Sequence, residues 1–228
     1  MRTSIQTLLI FLLAHTCLSA CTNGNETTEK IPIPAAVDMG LHSGTLWAAA
    51  NVGGTRPEDF GNYYAWGEVK TKESYSWQNY EHGTELALTK YCTQKDCGRQ
   101  GFQDNLKELQ PEDDIVTVAY GEGWCIPTKE DWRELYNNCT WQWTTKGDAY
   151  GQLATSNING QSLFFPASGY IENRTQVSLN ENGYYWASTL DDKSSPVAVE
   201  FMVTKNMTHL NAYARFFGQS VRGVKKKQ

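Results

Sequence analysis

The chemistry of a cysteine thiol depends strongly on its surroundings, and four cysteines are candidates for such chemistry: Cys92, Cys97, Cys125 and Cys139. A thiol can close a disulfide, act as a nucleophile or lie inert in a core. Four cysteines allow three disulfide connectivities, and spacing alone does not choose among them. Cys125 precedes a predicted helix N-terminus, which lowers a thiol pKa, but no histidine or acid stands beside it as a base. We expect at least one disulfide among the four, with buried thiols as the alternative.

Patterns for metal binding and for hydrolysis are weak in this sequence. The histidines His42, His82 and His209 are far apart and lack ligand spacing. No Gly-x-Ser-x-Gly elbow and no glycine-rich phosphate loop occur. Carboxylates cluster at residues 112–114 and 191–192, and calcium prefers such oxygen ligands, although acid runs are more often solvated faces or helix starts. The sequence predicts no cofactor, with a structural calcium ion as the open alternative.

Residues 205–217 hold side chains suited to ligand contact. Four of them are spaced by two and would share one face of a strand: His209, Asn211, Tyr213 and Arg215. Aromatic rings supply contact area and amides supply hydrogen bonds. We interpret these four, with Trp186 as a flanking ring, as candidate ligand-binding residues. The competing interpretation is that Trp186, Phe216 and Phe217 are core residues.

One helix is predicted over about residues 128–139. Thr128 is a good N-cap, and Asp131 stands at the capping-box position. Trp132, Leu135, Tyr136 and Cys139 then fall on one face, which predicts a buried Cys139. A shorter helical stretch is expected after Pro111, where acidic residues favour a helix N-terminus.

Strand patterns dominate the rest of the chain. Early and late strands are predicted at residues 44–52 and 197–203. Segments 151–155 and 161–165 predict a hairpin, and 212–217 with 220–224 predict a final pair joined at Gly218. Residues 67–110 show little periodicity and predict a loop-rich insertion. The expected fold class is α+β, rich in strands and loops.

Composition favours one domain over residues 35–224, followed by a basic tail at 225–228. The net charge of −5 argues against a nucleic-acid partner. Aromatic residues are abundant, with 8 Trp, 12 Tyr and 8 Phe, and many lie in polar stretches. Such rings serve either a core or an interaction surface.

The first 20 residues have the marks of a secretion signal: Arg2, a short apolar run and small residues before a cleavage point. Leu18-Ser19-Ala20-Cys21 resembles the lipobox of bacterial lipoproteins. This resemblance implies that Cys21 is acylated and begins the mature chain. Residues 21–34 are polar and then proline-punctuated, which predicts a tether between a membrane and the domain.

Several ordered motifs carry a wider resemblance: GNYYAWGE at 61–68, LTKYC at 88–92, GWCIPTKEDW at 123–132, CTWQWTT at 139–145, LFFPASGY at 163–170, GYYWAST at 183–189 and GQSVR at 218–222. They resemble the Fibrobacter succinogenes major paralogous domain of exported Bacteroidetes lipoproteins, over residues 37–224. The stretch around Pro127 and Trp132 is also similar to a signature of formylglycine-generating-enzyme folds. The resemblance implies a C-type-lectin-like fold. The chain departs from it at Cys125, usually arginine, and at Gly223, commonly proline.

That resemblance gives location and fold rather than activity. It implies the cell envelope, with a lipid anchor in the outer membrane. Formylglycine-generating catalysis needs late cysteines, and none follows Cys139. We therefore expect a non-catalytic domain that binds an extracellular glycan or protein through its late loops, residues 185–189, 191–196 and 205–217. A structural or fimbria-associated component, or a degenerate enzyme of the formylglycine-generating type, are the alternatives.

The lipobox interpretation predicts the outcome of one substitution. Cys21→Ala removes the thiol that would be acylated, so the protein should leave the membrane fraction and lose palmitate labelling, because acyl chains supply the anchoring energy. Cell fractionation with radiolabelled palmitate measures both. A variant that stays in the membrane fraction and still incorporates palmitate would show that Cys21 is not the anchor.

Overall fold

The computed structural model describes residues 30–227, so the signal, Cys21 and tether residues up to 29 lie outside the described part. It has two α-helices, α1 (Ile115–Tyr120) and α2 (Lys129–Asn138), and short 3-10 turns at Arg99–Gly101 and Pro111–Asp113. The strands are β1 (Ala36–Asp38), β2 (Leu46–Asn51), β3 (Tyr63–Tyr64), β4 (Gly83–Thr84), β5 (Ala87–Leu88), β6 (Trp124–Cys125), β7 (Cys139–Lys146), β8 (Ala149–Ser156), β9 (Ser162–Pro166), β10 (Tyr170–Glu172), β11 (Thr175–Val177), β12 (Asn182–Leu190), β13 (Val197–Thr204), β14 (Thr208–Ala214), β15 (Gln219–Ser220) and β16 (Arg222–Lys225). The α+β prediction is confirmed.

No helix in residues 30–227 combines the length and the apolar character needed to cross a membrane.

Three sheets organise the domain. The terminal sheet has the order β1-β2-β16-β6, so the first strands pair with the last. The central sheet has five strands in the order β14-β13-β12-β15-β3, and a third sheet has the order β7-β8-β9. The pairs β4-β5 and β10-β11 form separate small hairpins. The two ends of the domain therefore meet in one sheet.

Helix α2 forms where the sequence predicted it. Thr128 and Asp131 complete a capping box: the Thr128 hydroxyl accepts from the Asp131 amide at 3.1 Å, and the Asp131 carboxylate accepts from the Thr128 amide at 2.8 Å. Trp132 and Leu135 are fully buried, and the Trp132 ring stacks on Phe201 of β13 at 4.5 Å. Tyr136 departs from the prediction because it is 43% exposed. Helix α2 thus packs on one face of the central sheet.

Helix α1 begins at Asp114, as the acidic run after Pro111 predicted. The Asp114 carboxylate accepts hydrogen bonds from the backbone amides of Val116 and Thr117, and from Ile126 at 2.8 Å. Its burial raises its pKa to about 6. One cap therefore fixes both the start of α1 and the segment after β6.

The predicted hairpin is confirmed, since β8 and β9 pair with Thr155 opposite Ser162. The predicted final pair is wrong. Strand β14 pairs with β13, whereas β15 pairs with β12 and β3, and β16 pairs with β2 and β6. The chain leaves the central sheet between Ala214 and Gln219 because buried side chains there turn inward.

The structure also differs from the sequence prediction at the boundaries of the tether and of the basic tail. Ile31 packs against the core, so contacts of the domain begin before residue 35. Lys225 belongs to β16, and the Lys226 backbone amide donates to the Gly123 carbonyl at 2.9 Å. The Lys226 ammonium forms an ion pair with Asp131. The basic tail is therefore anchored up to Lys226, because its charge faces the first turn of α2.

A buried arginine joins the terminal sheet to the third sheet. Arg222 of β16 is 0% exposed. Its guanidinium donates to the Asn51 side chain at 2.8 Å, to the Ala48 carbonyl at 3.0 Å and to the Phe164 carbonyl at 2.9 Å. It also lies 4.6 Å from the Phe165 ring centre. Burial lowers its pKa to about 10, so it stays charged at neutral pH.

We expect Arg222→Met to reduce the free energy of unfolding by about 3 kcal/mol, because two buried carbonyls lose their donors. Arg222→Lys should recover only part of this, since one ammonium cannot reproduce a planar fork. Urea denaturation at constant slope measures the change.

Arg174→Met is the matched control, because the Arg174 side chain is 77% exposed. Its effect should stay within about 0.5 kcal/mol. Equal free energies of unfolding for Arg222→Met and the wild type would show that Arg222 does not stabilise the junction of the two sheets.

Candidate functional site

The central sheet has two faces, and α2 covers one of them. Tyr185, Phe201 and Leu210 point to the α2 side and join the first core cluster. The alternate residues of β12, β13 and β14 point the other way. We call this side the outer face. It carries Tyr184, Glu200, Met202, His209, Asn211 and Tyr213, while Trp186 and Ala198, on the same side, are buried in the second core cluster.

Strand register brings three of the predicted ligand-binding residues together. His209 lies opposite Met202, Asn211 opposite Glu200, and Tyr213 opposite Ala198. Asn211 is exposed, whereas His209 and Tyr213 are half-buried. The three share the outer face because β14 is regular over its whole length. Sequence spacing therefore predicted their common face correctly.

Arg215 does not belong to this surface, contrary to the sequence prediction. Strand β14 ends at Ala214, and Arg215 turns into the core with 0% exposure. Its guanidinium donates to the Tyr91 carbonyl at 2.9 Å and lies 5.3 Å from the ring centres of Trp66 and Tyr80. Burial lowers its pKa. The neighbouring rings and carbonyls hold this cation in the interior.

Trp186 is also a core residue rather than a ligand contact. It is 1% exposed, and its indole donates to the Tyr64 carbonyl at 2.8 Å. All of residues 185–189 are buried, so this stretch cannot form a ligand surface. The reason is that both faces of this stretch are covered: Tyr185 and Ala187 lie in the first core cluster, and Trp186 lies in the second. The core interpretation of Trp186 is the correct one.

A buried carboxylate lies under the exposed amide of the outer face. Glu200 is 0% exposed. Its Oε1 accepts from the Asn211 amide at 3.0 Å, and its Oε2 accepts from the Gln219 amide. No charged side chain of residues 30–227 contributes to its titration, and burial raises its pKa to about 7. Asn211 is thus held in place by a group that changes charge near neutral pH.

Aromatic rings from elsewhere extend the outer face. Tyr170 of β10 lies 5.2 Å from Tyr184, 5.9 Å from Tyr213 and 5.2 Å from Phe217, measured between ring centres. Burial raises the Tyr170 pKa to about 12, so its hydroxyl is protonated at neutral pH. Sequence reasoning missed Tyr170, which is distant in the chain. Tyr184 and Met202 could have been found, since each alternates with a buried neighbour.

The described cysteines are all free thiols, and the structure contains no disulfide among residues 30–227. Cys139 is buried, as predicted, in the first core cluster, and Cys125 packs against that cluster. Burial raises the pKa of Cys139 to about 11 and that of Cys125 to about 12. Both are therefore protonated at neutral pH, which opposes thiolate chemistry. Cys92 and Cys97 are free as well, and the Cys92 thiol donates to the Gln94 carbonyl at 3.0 Å.

The two acidic runs have partners within the protein. Asp113 pairs with Lys90 at 2.6 Å, and Asp192 pairs with Lys129 at 2.6 Å. Asp114 caps α1. Within residues 30–227, no three His, Cys, Asp or Glu side chains are grouped so as to hold a metal ion. Asp113, Asp114 and Asp192 are therefore engaged in ion pairs or in a helix cap.

Comparison with known proteins locates a family match over the same strands. Residues 141–224 match the family described as "Domain of unknown function (DUF8237)". This stretch runs from β7 to β16 and includes the strands of the outer face. No curated protein and no solved structure matches the chain. The match groups these strands as a unit and assigns no activity to them.

Glu200 should make stability depend on pH. Its pKa in the folded protein lies above the ordinary glutamate value of 4.5, so its stabilising effect is full below about pH 4.5 and is lost as the pH rises through about 7. Glu200→Gln keeps an uncharged hydrogen-bonding group. Relative to this variant, the free energy of unfolding of the wild type should fall by on the order of 3 kcal/mol between about pH 4.5 and about pH 7.

Chemical denaturation of both proteins at several pH values measures the difference. Glu181→Gln is the control, since the Glu181 side chain is exposed. A difference between wild type and Glu200→Gln that does not vary with pH would show that Glu200 titrates normally.

Proposed function

We propose that this chain is an exported lipoprotein, anchored through Cys21 in the outer membrane, whose domain binds an extracellular protein or glycan through the outer face. The motifs that resemble the Fibrobacter succinogenes major paralogous domain support this location. A strand-rich domain with two helices is compatible with the C-type-lectin-like fold which that resemblance implies. The domain on its tether would be presented to a partner outside the cell.

The observation that carries the proposal is the exposed Asn211 amide fixed over buried Glu200, with half-buried rings around it. Tyrosine and methionine are enriched at protein interfaces, and Tyr184, Met202 and Tyr213 supply both types. The rings of Tyr184 and Tyr213 pack against Tyr170 and Phe217, so binding would cost these two side chains little entropy. The surface belongs to a sheet rather than to a cleft, which favours a protein partner over a small glycan.

The enzyme alternative has less support. A formylglycine-generating mechanism needs reactive late cysteines, and no cysteine follows Cys139. Burial holds the Cys125 thiol protonated. A structural or fimbria-associated role remains the third class, and stoichiometric copurification with an assembly would favour it.

The test starts from an array of glycans and cell-surface proteins probed with the soluble domain. For any partner found, the triple variant His209→Ala, Asn211→Ala, Tyr213→Ala should lose affinity, with more than about 1 kcal/mol at each true hot spot. Calorimetric titration measures the loss, and thermal unfolding checks that the fold is retained.

The matched control changes three alternate positions of another strand: Gln142→Ala, Thr144→Ala and Lys146→Ala on β7. This control should bind as the wild type does. Full binding by the outer-face triple variant would place the site elsewhere, and no partner on either array would remove the proposal of a ligand-binding domain.

A further inference from the structure

A concave surface lies at the C-terminal end of α2, and none of the outer-face residues lines it. It is a groove of about 510 Å³ between the C-terminal end of α2, β7 and the turn that joins β13 to β14. Its size lies within the range of about 300–1,000 Å³ typical of small-ligand sites. We call it the α2–β7 groove. The lining residues that matter here are Tyr136, Trp141, Trp143, Gln152, Lys205 and Asn206.

The Trp143 indole is not part of the hydrophobic core formed by residues 30–227. It lies on the same face of β7 as Trp141, two residues away. Trp141 packs on the core, with ring centres 5.5 Å from Phe165 and 5.4 Å from Phe201. Trp143 is half-buried and belongs to none of the core clusters of residues 30–227. Among residues 30–227 its ring partner is Tyr150, which lies nearly parallel at 6.4 Å and is itself 48% exposed.

Gln152 places an unsatisfied acceptor in the wall of the groove. It lies opposite Trp143 in the β7–β8 pair and is 4% exposed. Its Nε2 donates to the Thr204 carbonyl at 2.7 Å, which fixes the amide. Its Oε1 has no hydrogen-bond partner among residues 30–227. A buried amide oxygen without a donor is rare in proteins, and a ligand hydroxyl would satisfy it.

We propose that the α2–β7 groove binds a neutral saccharide, with Trp143 as the stacking platform and Gln152 as an acceptor for a hydroxyl. The apolar face of a sugar ring packs on an indole, and the Asn137, Gln152 and Asn206 amides can each donate and accept, as sugar hydroxyls do. Lys205 is the one charged side chain that residues 30–227 contribute to the lining. Its cation repels a basic ligand, and because it is exposed it adds little affinity for an acidic one.

The lining residues also favour a saccharide over a peptide helix as the ligand. A helix in a groove needs a continuous apolar stripe, whereas this groove interleaves its rings with amides and a lysine. The site is independent of the outer face, since the outer-face residues Asn211 and Tyr213 are not among its lining residues. The two proposals therefore succeed or fail separately.

The test titrates the soluble domain with three neutral tetrasaccharides: cellotetraose, maltotetraose and chitotetraose. At least one should quench tryptophan fluorescence and show saturation-transfer NMR signals. Trp143→Ala should weaken that binding more than tenfold, and Trp143→Phe should keep most of it, because a ring remains. Thermal unfolding should be nearly unchanged, since Trp143 lies outside the core clusters.

Gln142→Ala is the matched control, an exposed neighbour on the other face of β7, and it should bind as the wild type does. The outer-face triple variant should also bind the sugar normally. The proposal is overturned if none of the three tetrasaccharides binds, or if Trp143→Ala binds as tightly as the wild type. Saturable binding of a peptide library member that depends on Trp143, with no sugar bound, would overturn it as well.

Discussion

One buried guanidinium connects the two ends of the domain. Arg222, on the last strand, bonds to Asn51 and Ala48 of β2 and to Phe164 of β9, so it joins the terminal sheet to the third sheet. None of these partners is a counter-ion. An arginine suits this position because its planar fork donates in several directions at once and keeps its charge even when burial lowers its pKa.

The outer face depends on that anchor through a short piece of chain. Gln219, three residues before Arg222, lies in β15 between β12 and β3 and donates to Glu200. Glu200 in turn accepts from Asn211, the exposed amide of β14. The position of this surface amide is thus set by buried groups of β13 and β15 in the central sheet. Because the Gln219–Glu200 hydrogen bond lies in a low-dielectric interior, losing it would leave the buried carboxylate without that donor, which favours one arrangement.

The third sheet shows how one strand face can serve both a core and a groove. On β7, Trp141 packs on Phe165 and Phe201, whereas Trp143 lies past the edge of the core beside the exposed Tyr150. The β13–β14 turn closes the far side of the groove, and the bond from Gln152 to Thr204 ties the two walls together. The turn that follows β13 therefore belongs to the groove, while the strand face behind it forms the outer face.

Local features of this protein were determined by sequence: the capping box of α2, the hairpin β8–β9 and the shared face of His209, Asn211 and Tyr213 all follow from residues within a few positions of one another. Other features were decided by the tertiary structure. Arg215 continues the alternation of β14, but the strand ends before it and the rings of Trp66 and Tyr80 enclose it. The sequence identifies side chains and their periodicity. Burial depends on segments more than a hundred residues apart, and only the folded chain brings those segments together.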